Sequence, residues 1–307
     1  MAAPRKGLVH QYHKRLTAFE HTPGKSTSQP QNILLFIGGL SDGLLTVPYT
    51  TPLAASLKPT WTLAEIHLSS SYSGWGTCNL EDDAEEISKC VAYFRSIKTG
   101  QIVLMGHSTG CQDIMFYLTS AEHSRHAKID GAIMQGVVSD RQALEMHLDP
   151  ELYKGSCVTA KAMVEAGDGD EILPSKTMDD FFETPVSAKR WLSLASPDHN
   201  GDDDIFSSDL TDEQLGKTFG KLPKETKVAF LHSGEDEYVN PDLDKAGIIK
   251  KWAEIVKRGG GSVDEINSGV LEGASHNLKK ASEDVMAGLV KRVLGFLEGI
   301  EGKGAHL

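Results

Sequence analysis

The amino-acid sequence predicts an α/β fold, with a mostly parallel central sheet flanked by helices and interrupted by a helical insertion. Three observations carry this expectation. Short apolar runs without polar alternation recur along the chain, amphipathic helical patterns separate them, and one long interval lacks any such run. Strands apolar on both faces belong to sheets covered on both sides, and strand–helix alternation makes those sheets parallel. No repeat of about 20–50 residues is present, which sets aside solenoids and propellers.

The elements are legible in order. Residues 22–32 (TPGKSTSQPQN) are rich in Pro, Ser, Thr and Gln and read as a loop. Apolar runs come next at Asn32–Ile37 (NILLFI), 64–68 (AEIHL), 102–105 (IVLM), 129–138 (IDGAIMQGVV) and 228–232 (VAFLH). Between the second and third runs, Ala84, Ile87, Val91 and Phe94 recur at helical spacing within 79–98. Acidic residues Glu81 to Glu86 crowd the start of that helix, and Arg95 and Lys98 sit near its end, as the helix dipole favours. A last helix over 282–300 repeats the pattern through Val285, Leu289, Val293 and Phe296. From 140 to 226 no buried strand is legible. A structureless loop of that length is improbable in a compact domain, so a helical cap or lid over the sheet edge is expected. The resulting division is a core part at 1–139, an insertion at 140–226, and a second core part at 227–307.

Composition narrows the function. The chain has 307 residues, with 31 Lys+Arg against 43 Asp+Glu and a formal charge of −12. That acidity argues against a nucleic-acid partner, since duplex binders carry basic patches. No apolar run approaches the roughly 20 residues of a membrane span. The first residues, MAAPRKGLVHQYHKRL, lack the apolar stretch of a secretory signal, so a cytoplasmic location is expected. The C-terminal Ala305-His306-Leu307 loosely resembles a peroxisomal tripeptide and is the alternative. Four cysteines form neither a disulfide framework nor a C-x-x-C pair, and no EF-hand or His-x-x-x-His spacing occurs, so no metal is expected; nor is a cofactor, given the serine chemistry read below. The acidic run Asp202-Asp203-Asp204 reads as a solvated loop.

The pattern G-x-S-x-G occurs twice, at Gly39–Gly43 and at Gly106–Gly110. As a nucleophile elbow it needs a strand before it and a helix directly after, so that the turn lifts the serine above the sheet. Ser108 has both: IVLM precedes it, and Cys111, Ile114, Met115 and Leu118 come after it at helical spacing. Ser41 is succeeded by LLTVPYTTP, a poor helix, and reads as a loop serine. A serine nucleophile in such a fold uses two backbone N–H groups to hold an oxyanion, here those of Thr109 and Leu40. A plain tight turn at Gly38-Gly39 is the other reading of that loop.

A serine hydroxyl needs a base, and the base an orienting acid, in the chain order serine, acid, histidine. His276 lies in Gly273-Ala274-Ser275-His276, after the short apolar pair Val270-Leu271 and before the last helix, where such a base belongs. Three carboxylates, Glu235, Asp236 and Glu237, close the fifth apolar run. Asp236 is the candidate acid and Glu237 its rival. Gly39, Trp75 and Trp191 are candidates for the substrate wall, with packing the alternative for both tryptophans.

With these residues assembled, the chain resembles an α/β-hydrolase over nearly its whole length. More narrowly it resembles the fungal siderophore esterases, through Gly38 to Gly43 (GGLSDG), Ser71 to Gly76 (SYSGWG), Met105 to Asp113 (MGHSTGCQD), Ala195 to Leu210 (ASPDHNGDDDIFSSDL) and Gly234 to Val239 (GEDEYV). The resemblance implies a serine esterase acting through an acyl-serine on fusarinine-type hydroxamate siderophores, with iron released inside the cell. The alternatives are an esterase, lipase or thioesterase for another small-molecule ester, and a ligand-binding protein without catalysis.

Overall fold

A computed structural model describes residues 4–22, 31–175 and 184–304. Most of the 22–32 loop and the C-terminal tripeptide therefore lie outside the described residues. Among the described residues nine strands form one sheet: β1 (Gly7–Gln11), β2 (Thr17–His21), β3 (Asn32–Ile37), β4 (Trp61–Ile66), β5 (Ile102–His107), β6 (Gly131–Gln135), β7 (Lys227–Ser233), β8 (Ser262–Val263) and β9 (Gly269–Leu271). Their spatial order is β1-β2-β4-β3-β5-β6-β7, with β8 and β9 both paired to β7. From β4 to β9 every pairing is parallel, while β1 and β2 join as an antiparallel hairpin.

The five apolar runs all become strands of this sheet, because both its faces are covered. Ile33, Leu35 and Ile37 of β3 enter one core with α2 (Leu80–Ile97), α3 (Gly110–Thr119) and α8 (Lys245–Arg258). Leu34 and Phe36 enter the other, with α1 (Thr50–Ser56) and α9 (Glu283–Gly304). The α2 boundaries match the predicted signals: Asn79 caps the first turn by accepting the Asp82 N–H at 2.9 Å. Its apolar stripe, Ile87, Val91 and Phe94, is fully buried. Each such side chain contributes about 1.5–3 kcal/mol relative to exposure.

The β1–β2 hairpin was not legible as strand. Its interior positions carry Glu20 and His21, and burial is made tolerable by pairing: Lys98 meets Glu20 at 2.6 Å and His21 meets Glu65 at 2.7 Å.

Between β6 and β7 lie α4 (Asp140–His147), α5 (Pro150–Ala166), α6 (Ala188–Ala195) and α7 (Asp212–Gly216), with no strand among the described residues. The interval does not behave as one unit. Leu144, Leu148, Cys157, Ala160, Trp191 and Leu194 pack with Trp75 in a separate cluster above the sheet ends. Phe206, Leu215, Phe219 and Leu222 instead join the main core, where Phe219 stacks on Trp252 at 5.2 Å. The interval 140–226 thus divides between two hydrophobic clusters.

The acidic run 202–204 corrects the sequence reading. Asp203 is fully buried and accepts from Arg190 at 2.6 Å, and Asp204 takes Arg141 at 3.0 Å; Asp202 alone stays exposed. These carboxylates anchor the insertion rather than face solvent. Arg190 also donates to the Trp75 carbonyl at 3.1 Å, tying α6 to the core.

Candidate active site

Ser108 stands between the end of β5 and the start of α3, with φ at +53°. A non-glycine residue in this region is strained by about 1–2 kcal/mol, and the surrounding contacts hold it there. Its N–H donates to the Gln135 carbonyl on β6 at 3.1 Å, and its own carbonyl accepts from the Cys111 N–H at 2.8 Å. The flanking glycines are sterically required. A Cβ on Gly106 would lie 2.4 Å from the Gly110 carbonyl oxygen, and one on Gly110 would lie 2.5 Å from that of Ile37.

The β7 and β9 ends supply the other two groups. His276 Nδ1 lies 2.8 Å from Asp236 Oδ2, in a carboxylate whose side chain is wholly buried. Asp236 Oδ1 accepts the Tyr238 N–H at 3.0 Å. Glu237 turns to a different atom of the same histidine: its Oε2 accepts the His276 backbone N–H at 2.8 Å. The adjacent carboxylates thus divide the imidazole and the main chain between them.

A buried polar network lies behind His276. Ser233 Oγ and Gln135 Nε2 donate to its carbonyl at 3.4 and 3.5 Å. Gln135 Oε1 accepts from Tyr49 O–H at 2.6 Å and from His107 Nδ1 at 2.8 Å. Burial, reinforced by the neighbouring His276, pushes the His107 pKa down to about 3, against the Gln135 hydrogen bond. The ring packed 4.8 Å from His276 is therefore neutral and adds no competing charge.

Ser108 and His276 line one cavity of about 330 Å³, together with Leu40, Ser41, Leu144 of the insertion and Tyr238. The Gly38–Asp42 loop forms its near wall. Asp42 Oδ2 accepts the Gly39 N–H at 3.0 Å, which occupies that donor. Among the described residues the N–H groups of Leu40 and Thr109 have no protein acceptor. A Cβ on Gly39 would fall 2.6 Å from the Ser108 Cβ, so the loop presses directly on the serine.

The tryptophans sit further back. Trp75 is buried, lines a smaller cavity behind the loop, and donates Nε1–H to Ser41 Oγ at 3.1 Å. Trp191 is enclosed in the insertion's own core and lines neither cavity, so it supports the wall instead of forming it. Sequence reasoning missed Tyr238, whose ring meets His276 edge-on at 4.9 Å, and Gln135 at the end of β6. Tyr238 carried one signal, its place two residues after the acid.

A family model described as "Protein of unknown function (DUF1749)" matches residues 1–298. The chain belongs to this family. It is similar to the fusarinine C esterase sidJ of Aspergillus fumigatus, 36% identical over 341 residues that cover 96% of each chain. Esterase AN6793 of Emericella nidulans is 35% identical over 361 residues, covering 97% of this chain and 94% of that protein. Among solved structures, the siderophore hydrolase EstB from Aspergillus fumigatus superposes with a TM-score of 0.82 at 36% identity, over 97% of this chain and 98% of that one. These likenesses place the DUF1749 chain among carboxylic ester hydrolases of the α/β-hydrolase fold.

Proposed function

We propose that the protein is a serine esterase that cleaves the ester bonds of fusarinine-type hydroxamate siderophores and so releases iron inside the cell. In this reading Ser108 Oγ attacks the ester carbonyl while His276 Nε2 takes its proton. Asp236 holds the ring through Nδ1 and stabilises the imidazolium that forms. The Leu40 and Thr109 N–H groups receive the developing oxyanion. The imidazolium then protonates the departing alcohol, leaving an acyl-Ser108. Water activated by the same histidine hydrolyses that ester and restores the serine. Acyl transfer of this kind draws on no cofactor or metal, and the iron is cargo of the substrate.

The observation that carries the reading is the Asp236–His276 pair at 2.8 Å, sharing one cavity with a serine held at positive φ between two indispensable glycines. The substrate class rests on the siderophore-hydrolysing relatives, which are 36% identical along almost the whole chain. Two measurements test it together. A fluorophosphonate probe is expected to leave one adduct on Ser108, lost in Ser108→Ala. Purified protein is expected to open ferric and iron-free fusarinine C, monitored by mass spectrometry. An adduct without siderophore cleavage, but with turnover of simple esters, would move the substrate to another small-molecule ester.

A further inference from the structure

The Leu40 N–H belongs to a turn that begins with two glycines, Gly38 and Gly39. Backbone of that kind has many conformations open to it. A half-turn of the Gly39–Leu40 peptide would put a carbonyl oxygen where the oxyanion donor belongs, because the C=O and N–H of a trans peptide point opposite ways.

One residue holds both peptides that meet at Gly39. The Asp42 backbone N–H donates to the Gly39 carbonyl at 3.0 Å, and this bond directs the Leu40 N–H of the same peptide away from Asp42. The Asp42 side chain reaches back over the turn, where its Oδ2 accepts the Gly39 N–H at 3.0 Å and fixes the preceding peptide. Its Oδ1 accepts the Thr46 hydroxyl at 2.7 Å, and Thr46 Oγ in turn accepts the Gly43 N–H at 3.0 Å. The carboxylate is therefore engaged on both oxygens. The fit is close: a Cβ on Gly38 would lie 2.6 Å from the Asp42 Cβ.

The segment Ser71 to Gly76 braces the same turn from outside. The Tyr72 N–H donates to the Asp42 carbonyl at 2.7 Å, and the Trp75 indole N–H to Ser41 Oγ at 3.1 Å. A Cβ on Gly43 would fall 2.1 Å from the Tyr72 ring. Asp42 itself lines both the Ser108 cavity and the smaller cavity behind the loop.

We propose that Asp42 is a positioning residue for the oxyanion hole, clamping the two peptides at Gly39 so that the Leu40 N–H stays aimed at the substrate oxygen. The proposal rests on the esterase reading of Ser108. Asp42 acts through Leu40 in this role and not on the substrate. A tetrahedral oxyanion needs the donor more than the ground-state carbonyl does, so loss of the clamp is felt in kcat and not in KM.

The test uses full-length protein, p-nitrophenyl acetate for kcat and KM, and phenylboronic acid as a probe that forms a tetrahedral adduct on the serine. Asp42→Ala is expected to lower kcat about 30-fold, less than the ~10² of a donor removed outright, because the backbone N–H of residue 42 still holds the Gly39 carbonyl. KM is expected to stay within about twofold, and boronate affinity to fall by about the same factor as kcat. Asp42→Asn keeps an oxygen for the Gly39 N–H, and Thr46 Oγ can accept from its new amide. That variant is expected to recover kcat to within about threefold of the unaltered protein. Thr46→Ala, at an exposed position, is expected to cost about threefold in kcat with KM unchanged. Full turnover in folded Asp42→Ala, a loss confined to KM, or no rescue by Asp42→Asn would overturn the role. If Asp42→Ala does not fold, unchanged kcat in Thr46→Ala overturns it. Fluorophosphonate labelling separates the two failures. Labelled Ser108 with normal turnover in Asp42→Ala sinks the Asp42 role alone, and unlabelled Ser108 in folded, unaltered protein sinks the esterase reading beneath it.

Discussion

Two turns in this protein have the same spelling and stand side by side. Gly39–Gly43 lies just after β3, Gly106–Gly110 starts in the last two residues of β5, and these strands pair directly, with Ile37 opposite Gly106. Both central serines sit at positive φ, Ser41 at +65° and Ser108 at +53°. They differ in the segment that continues the chain and in the partner of the hydroxyl. Helix α3 starts two residues after Ser108, whose Oγ has no hydrogen-bond partner among the described residues, although both serines line the cavity that holds His276. Ser41 leads into a proline-containing loop, and its Oγ accepts the buried Trp75 indole N–H. The motif specifies a strained turn; the segment behind it and the partner of its hydroxyl are what distinguish the two.

The largest expected effect sharpens this contrast. Ser108→Ala is expected to lower kcat on p-nitrophenyl acetate by about 10⁴ or more with unchanged Tm, the scale seen when a nucleophile is removed. Ser41→Ala is expected to cost only a few-fold in rate. Comparable losses in the two variants would erase the distinction. The neighbouring carboxylates give the next contrast. Asp236→Asn is expected to lower kcat by ~10³–10⁴, because an amide no longer stabilises the imidazolium or its tautomer. Glu237→Gln keeps an acceptor for the His276 N–H and is expected to cost under about tenfold; Glu237→Ala loses it and falls below that. Equal losses for the two conservative variants would mean that the acid role is shared.

Much of the parallel core was readable because its chemistry is local. A strand buried on both faces is a plain apolar run, as in NILLFI, and a helix between two strands announces itself by the stripe Ile87, Val91, Phe94. The hairpin was not readable, since Glu20 and His21 are buried only by virtue of Lys98 and Glu65, distant in sequence. The same reason hid the burial of Asp203, whose partner Arg190 lies on another element. At the site, Ser108 and His276 could be proposed from turn context. In the sequence only its place three residues before Val239 favours Asp236 over Glu237; the structure adds that one points at a ring and the other at a backbone N–H, which adjacent residues carry no spacing signal to reveal.

Gly39 tests how tightly the two turns are coupled. A Cβ there would sit 2.6 Å from the Ser108 Cβ and 3.2 Å from the His107 carbonyl oxygen. Gly39→Ala must therefore push the loop, and with it the Leu40 N–H, away from the serine. A loss of ~10² in kcat is expected, the scale for one displaced oxyanion donor. The fluorophosphonate adduct is expected to form more slowly by a similar factor. Near-normal turnover would show that the first loop moves without consequence and holds no donor.

The smallest effect concerns the support beneath each turn. The Ser108 turn rests on Gln135 of β6, an uncharged support. The Gly38–Asp42 loop rests on a cavity walled by Asp83, Asp113 and Arg190. Asp140 lies near by, bonded by Gln112 at 2.6 Å, and Arg190 is already engaged by Asp203. Burial holds the Asp83 carboxyl up to about 7 and that of Asp140 up to about 8, and it raises Asp113 well above the usual carboxylate range. In the unfolded chain these groups ionise near pH 4. Between that pH and the raised values, the folded protein holds protons that the unfolded chain has released. Stability is therefore greatest at the acid end of this window and falls as pH rises through 7 to 8. Asp83→Asn, which removes one of the ionisations, is expected to recover on the order of 1–2 kcal/mol of the loss between pH 5 and 9, read as a flatter Tm profile. If Tm keeps the same slope with and without Asp83, the first loop stands on a support as insensitive to charge as the second, and only the hydroxyls' partners distinguish the turns.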